Sequence, residues 1–341
     1  MTAWMIYGAN GYTGELIARE AVRRGLLPIL AGRNAEQITA LAKSLDLESR
    51  VFSLDAPDLE GVGLVLHCAG PFSRTSRAMV DACLAAGAHY LDITGEIKVF
   101  EAIYARDAEA RNRGVALIPG VGFDVVPTDC LAAKLAADLP HADELLLAFS
   151  PSRGGRTSRG TMRTAIEGMS KGGAVRREGR IVQVPLAFDV REVPFPGGPR
   201  TAVTIPWGDI SSAFRSTGIP NIRVYMAASR RGAARMKRLA RLAWVTALPG
   251  VTSLMQRFVA EGGPSAEQRT TGRVELWGHV SRGSEERTMT ITTPEGYEFT
   301  VRSALAAVER LLDRSLSGAL TPSQAFGAGF AESIEGVVVG D

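Results

Sequence analysis

Cysteine is scarce: Cys68, Cys83 and Cys130 are the only three in 341 residues. An odd, sparse set with no Cys-x-x-Cys and no Cys/His spacing excludes a disulfide framework and a zinc site, and it fits a reducing compartment. No metal site is expected. Charge of one sign is lacking too. The formal net charge of +3 is too small to make nucleic acid the main partner, although it is compatible with a local basic site for phosphates. Long hydrophobic runs are missing as well. The longest uncharged apolar stretch, Leu242–Met255, is interrupted by Pro249-Gly250 and falls short of the ~20 residues that a membrane-spanning helix needs. The opening residues, MTAWMIYGANGYTG, show no basic segment followed by an apolar one. No signal peptide or transmembrane segment is therefore expected, and the chain reads as cytoplasmic.

What is present is ordinary in bulk and specific in order. Hydrophobic residues make up 45% and charged residues 22%, which suits a soluble chain long enough for two domains with real cores. The first 120 residues or so alternate short apolar runs with helical patterns. Trp4–Tyr7, Leu27–Ala31, Val51–Leu54, Gly63–Cys68, His89–Ile93 and Val115–Ile118 read as strands. Between them Tyr12–Arg24, Ala35–Leu45, Ser76–Ala86 and Lys98–Arg113 read as helices. This alternation predicts an α/β fold, a doubly wound Rossmann domain with a parallel sheet.

After Gly122 the pattern changes. Ala132–Asp138 reads as a helix and Glu144–Phe149 as a strand. Arg180–Val190, Thr201–Ile205, Ile222–Ala228, Thr270–Val280 and Arg287–Thr292 follow as β-like runs separated by Pro/Gly turns, with helices over Ala234–Thr246 and Ala304–Arg314. A second α+β domain with a mainly antiparallel sheet is expected. The division places residues 1–130 in the Rossmann domain and 131–302 in a substrate and dimerisation domain, with 303–341 packing back on the first. Antiparallel strands of this kind offer a route to a homodimer. Leu242–Met255 reads as a core or dimer helix, or as a contact for a membrane or acyl chain.

The segment Gly8-Ala9-Asn10-Gly11-Tyr12-Thr13-Gly14 follows the first strand and opens the first helix. A pyrophosphate needs close approach to backbone N–H groups, which a Cβ would block. The helix N-terminus adds unpaired donors and the positive end of its dipole. The third glycine lets helix and strand pack closely. The spacing G-x-x-G-x-x-G is one residue wider than the common G-x-G-x-x-G. Where NAD-binding chains place an acid on the ribose hydroxyls, the second strand here ends Leu30-Ala31-Gly32-Arg33-Asn34. Arg33, a fork that fits phosphate oxygens bidentately, points to NADP(H).

The remaining candidates stand at later strand ends. Ala69-Gly70-Pro71, after the fourth run, would approach the nicotinamide half, with Phe72 as a wall; Cys68 reads as a small buried hydrophobe. In His89-Tyr90-Leu91-Asp92-Ile93-Thr94-Gly95-Glu96, Tyr90 and Asp92 are candidates for catalysis, Tyr90 as proton donor and Asp92 as an orienting group. Equally, Asp92 and Thr94 cap the next turn and Tyr90 packs beneath it. In the segment Gly120–Asp129, Thr128 and Asp129 suit a helix cap, and Asp124, harder to explain so, is a substrate-binding candidate. Arg153, Arg156, Arg159 and Arg163 crowd a glycine/serine-rich loop; Arg159 is the candidate there for gripping a substrate carboxylate or phosphate.

With these motifs assembled, the chain resembles the saccharopine dehydrogenase-like oxidoreductases, particularly the branch with trans-acting enoyl reductases. The resemblance rests on GANGYTG (8–14), AGRN (31–34), CAGPF (68–72), HYLDITGE (89–96), PGVGFDVVPTD (119–129), SRGT (158–161) and LTPSQAFG (320–327). It implies an N-terminal Rossmann domain, a central mixed α/β domain and a nicotinamide cofactor. Gly8, Gly11, Gly14, Arg33 and Gly70 match its cofactor-contact positions. The expected function is NADPH-dependent reduction of an activated C=C or C=N bond in a small-molecule or acyl substrate. The other reading is a non-catalytic NADP(H)-binding sensor or scaffold. No Tyr-x-x-x-Lys occurs, which disfavours short-chain dehydrogenase chemistry.

Overall fold

The structure, a computed structural model, describes residues 3–150, 162, 172–240 and 263–340. Arg153, Arg156, Arg159, Arg163, the SRGT motif and Leu242–Met255 lie outside the described residues. The chain divides into two compact units. The first comprises Met1–Val126 and Tyr297–Gly327, the second Pro127–Gly296 and Ala328–Asp341.

The first unit is built on a seven-stranded sheet. Its strands are β1 (Ala3–Tyr7), β2 (Ile29–Gly32), β3 (Ser49–Val51), β4 (Val62–His67), β5 (His89–Asp92), β6 (Ala116–Ile118) and β15 (Gly318–Ala319). They lie in the order β15-β6-β5-β4-β1-β2-β3, and every pairing is parallel. Strands covered on both faces must be apolar throughout, and Met5, Ile6, Leu30, Leu64, Val65 and Leu66 are fully buried. Strand order reverses between β1 and β4, so a crevice opens there at the strands' C-terminal ends. The helices are α1 (Tyr12–Arg23), α2 (Ala35–Leu45), α3 (Phe72–Ala86), α4 (Ile97–Tyr104) and α5 (Asp107–Asn112). The expected helix 98–113 is thus two. Arg106 sits at the break, held by Asp81 Oδ1 at 2.7 Å and Glu109 Oε2 at 2.6 Å.

The second unit carries a nine-stranded sheet among the described residues. Its members are β7 (Glu144–Ser150), β8 (Gly173–Arg177), β9 (Arg180–Val184), β10 (Val190–Phe195), β11 (Gly198–Thr204), β12 (Asn221–Ala227), β13 (Arg273–Arg282), β14 (Glu285–Pro294) and β16 (Val338–Gly340). Pairings are antiparallel except β12 with β7. The expected run 180–190 breaks because Pro185 lacks an N–H for the ladder and Ala187 takes a positive φ of 51°. Helix α6 (Val126–Asp138) begins six residues before the expected Ala132, since proline is tolerated in a first turn. Further helices are α7 (Asp209–Thr217), α8 (Arg230–Ala240) and α9 (Ala266–Thr271). In place of Ala304–Arg314 stands α10 (Gly296–Leu312), followed by α11 (Pro322–Phe326).

Candidate functional site

The glycine turn joins β1 to α1 at the switch point of the first sheet. Gly8 adopts φ +85°, and a Cβ on it would lie 2.7 Å from the backbone N of Ala69. The turn is held down by Gly8 N and Ala9 N, which donate to the Ala31 carbonyl at 2.8 and 3.2 Å. A Cβ on Gly14 would come within 2.4 Å of the Gly8 carbonyl oxygen, so only glycine lets α1 start this close to β1. Gly11 is the N-cap of α1, with no side-chain cap. The helix end therefore keeps donor character that a Ser or Asp cap would have consumed. Thr13 and Tyr12 stand in that first turn, the Tyr12 ring edge-on to Tyr297 at 5.2 Å.

At the end of β2, Arg33 is exposed. It makes no hydrogen bond or ion pair among the described residues. Its neighbours are committed: Asn34 Oδ1 caps α2 by accepting from Gln37 N at 3.1 Å, and Asn10 Nδ2 donates to Gln37 Oε1 at 2.7 Å. Gly32 is closely packed at the same strand end. A Cβ on it would meet Ile38 Cδ1 at 3.0 Å and Asn10 Oδ1 at 3.1 Å.

The loop after β4 is fixed from beneath. The Thr75 hydroxyl donates to the Ala69 carbonyl at 2.7 Å and is 3.0 Å from His67 Nε2. With its proton spent on Ala69, Thr75 accepts from His67, which sets the Nε2–H tautomer. His67 is fully buried, and burial pushes its pKa down to about 3, so the ring is neutral. Its ring lies 5.5 Å from both Tyr7 and Phe72 and 6.1 Å from Tyr90. Gly70-Pro71 is a cis peptide. Burial raises the thiols of Cys68, Cys83 and Cys130, which keeps all three protonated.

Tyr90 and Asp92 hydrogen-bond to one another within the first unit. Tyr90 is fully buried in the sheet core, and its hydroxyl donates to Asp92 Oδ2 at 2.8 Å. Asp92 Oδ1 accepts from Thr94 N at 3.0 Å and Gly120 N at 2.8 Å. Burial raises the tyrosine hydroxyl well above its ordinary value and brings Asp92 up to about 6. Asp92 thus ties β5 to the loop after β6, and Tyr90 is bonded to it from the same strand. Glu96 passed without a role in the sequence. Its carboxylate accepts from Phe72 N at 2.8 Å and Ser73 N at 3.1 Å, capping α3 from the adjoining loop. Its position two residues past Thr94, whose hydroxyl accepts from Glu96 N at 3.1 Å, was the available signal.

Asp124 stands apart from these committed groups. Its carboxyl makes no hydrogen bond or ion pair among the described residues, and burial pushes its pKa up to about 7. Gly95 leaves room for it: a Cβ there would lie 2.9 Å from Asp124 Oδ2. Thr128 and Asp129 are buried in the first turn of α6.

Residues 4–118 match the family model of the saccharopine dehydrogenase NADP binding domain. That match lies wholly within the first unit. Beyond that domain the likenesses are more distant. A Caenorhabditis elegans lipid droplet localized protein is 24% identical over 244 residues, 58% of this chain and 57% of its own. A Mycobacterium tuberculosis protein named as a trans-acting enoyl reductase is 30% identical over 138 residues, 37% of this chain and 33% of its own. The chain spans about half the length of the curated relatives it matches. The Saccharomyces cerevisiae saccharopine dehydrogenase (L-Glu forming) shares the fold, with a TM-score of 0.65 at 11% identity over 97% of this chain and 96% of that one. The bare turn at Gly8, Gly11 and Gly14, the α1 end without a side-chain cap and the uncommitted Arg33 fit a phosphorylated dinucleotide. Among the described residues no helix is long and apolar enough to cross a membrane.

Proposed function

We propose that this chain is an NADPH-dependent oxidoreductase that reduces an activated C=C or C=N bond. Arg33 carries the reading: an exposed guanidinium without a partner at the end of β2, where an NAD-binding chain would place an acid. The backbone of Gly8–Gly14, with Asn10, Tyr12 and Thr13, holds the pyrophosphate, and Arg33 takes the 2′-phosphate. Ala69, Gly70 and Pro71 border the nicotinamide half. When bound, the reduced cofactor supplies the hydride; the protein supplies orientation and a site from which water is excluded. The name of the mycobacterial relative supports an enoyl substrate.

Fluorescence titration should show NADPH bound well ahead of NADH. Arg33→Ala should weaken NADPH about 10- to 100-fold, the worth of a charge-assisted phosphate contact, and leave NADH unchanged. Equal losses for both cofactors would remove the assignment. NADPH oxidation in the presence of an α,β-unsaturated thioester or a cyclic imine tests the reaction. A second reading, a non-catalytic NADP(H) sensor, gains from the commitment of Tyr90 and Asp92 to structural bonds. Tight NADPH binding with no turnover of enoyl, imine or carbonyl probes would favour it.

A further inference from the structure

The loop 120–124 is presented rigidly, and one side chain on it is left unspent. Gly120 N donates to Asp92 Oδ1 at 2.8 Å, and Val121 N to the Asp92 carbonyl at 2.8 Å. The Ser303 hydroxyl donates to the Val121 carbonyl at 2.8 Å, and Phe123 N donates to Thr300 Oγ1 at 3.0 Å. The Phe123 ring meets Phe299 edge-on at 6.0 Å. Each of these bonds fixes backbone, and none uses the Asp124 carboxyl. Helix capping does not account for it either. Val126 N already donates to the Gly122 carbonyl at 3.1 Å, and Pro127, next in the turn, has no N–H to offer. Gly95, at the end of the neighbouring loop, is bare where a methyl would press on Asp124 Oδ2. Asp124 is half-buried, so its unpaired carboxyl is shielded from bulk water yet open to a ligand, the setting in which a perturbed carboxyl marks a candidate site.

Resting on the NADPH-dependent reading above, we infer that Asp124 is the catalytic proton donor of the first unit's site. The π bond of the substrate breaks as its electrophilic carbon gains hydride from NADPH, which leaves as NADP+. The electron pair of that π bond takes the Asp124 proton at the adjoining atom, the α-carbon of an enoyl group or the nitrogen of an imine. Asp124 is left as a carboxylate and recovers a proton from water. A proton donor works best with its pKa near the working pH, and burial has brought Asp124 to about 7. Ionisable groups on the neighbouring segments are accounted for. Asp92 and Glu96 are taken up by backbone donors, Glu298 pairs with Arg302 on α10, and Lys98 on α4 is exposed.

The test uses the whole chain with NADPH, crotonyl-N-acetylcysteamine and 1-pyrroline. Asp124→Asn should leave NADPH affinity near wild type, melt cooperatively at a temperature no lower than wild type, and lower turnover of the accepted probe at least ~100-fold, the usual range for a lost proton donor. Wild-type turnover should fall as pH rises through about 7, where Asp124 gives up its proton, and the variant should lose that limb. Infrared titration of 13C-aspartate-labelled Asp92→Asn, which removes the other raised aspartate, should show a carboxyl with its midpoint at about 7, which keeps the inference testable if the Asp124 variant does not fold. Full turnover by Asp124→Asn, or no carboxyl titrating near neutrality, overturns the role of Asp124 and leaves the cofactor reading standing. Weak NADPH binding by wild type overturns the cofactor reading itself. Tight NADPH binding without turnover of either probe overturns the reductase reading and with it the role of Asp124, and leaves the cofactor reading standing.

Discussion

Asp92 accepts three hydrogen bonds on a carboxyl that burial nonetheless pushes up to about 6. Its pKa in the unfolded chain is about 3.9. The folded state therefore holds the proton over a window in which the unfolded chain has released it, and stability falls as pH rises from roughly 4 to about 6. The difference amounts to about 3 kcal/mol. In Asp92→Asn the amide oxygen still accepts from Thr94 N and Gly120 N, while its NH2 donates to the Tyr90 oxygen. This variant should gain on wild type progressively across that window and hold the gain at pH 8. Asp92→Ala instead strands three donors at about 1–3 kcal/mol each. Urea unfolding of wild type and Asp92→Asn at pH 4.5, 6 and 8 is the measurement, and parallel stability curves would refute the assignment. The alternation of Tyr90 and Asp92 on β5, with Thr94 just beyond its end, was legible in the sequence. What it did not carry is the partner of Asp92, since Gly120 lies 28 residues away and contributes only a backbone N–H. A donor without a side chain leaves no trace in residue identity.

Among elements, α3 depends on a carboxylate from outside itself. Pro71 stands at its N-cap without a side-chain acceptor, and Glu96 supplies both oxygens across the gap to the next loop. Charge at a helix N-terminus and a lost cap are each worth about 1 kcal/mol. Glu96→Ala should lower stability by roughly 1–2 kcal/mol and loosen the Ala69–Pro71 loop, weakening NADPH several-fold. Glu96→Gln, which keeps one acceptor, should lose less of both. An unchanged melting temperature in Glu96→Ala would show that the two bonds carry no net stability. The alternating strands and helices of the first sheet could be read from hydrophobic period because that sheet is covered on both faces. The split of helix 98–113 could not. Val99, Phe100, Ile103 and Ala110 are all buried, so the apolar period runs through the break without interruption. In the second sheet, edge residues such as Val338–Gly340 are too few to show alternation, and their pairing with β14 emerges only in three dimensions.

At the level of the whole molecule, the first unit is discontinuous in sequence. Its sheet is completed by β15, whose Ala319 N donates to Asp107 Oδ1 at 2.8 Å, and its site loop is tied to α10 through Thr300 and Ser303. Helix α10 also buries Phe299, Val301, Leu305, Val308 and Leu311. Burial of such side chains contributes about 1.5–3 kcal/mol each, together roughly 10 kcal/mol, against a net stability of about 5–15 kcal/mol for a typical domain. Residues 1–126 alone therefore hold the glycine motif at Gly8–Gly14 but not the interactions that keep the 120–124 loop in place. Expressed by themselves they should retain helical far-ultraviolet dichroism while lacking near-ultraviolet signal and a cooperative melt, and they should bind NADPH at least ~100-fold more weakly than the whole chain, since about 2.7 kcal/mol of lost preorganisation is enough for that factor. Joining 297–327 to the same fragment through a flexible linker should restore the cooperative melt and most of the affinity. If the bare fragment melts cooperatively and binds as tightly as the whole chain, the return of the C-terminal segment contributes nothing to the cofactor site, and the motif at Gly8–Gly14 stands on the first 126 residues alone.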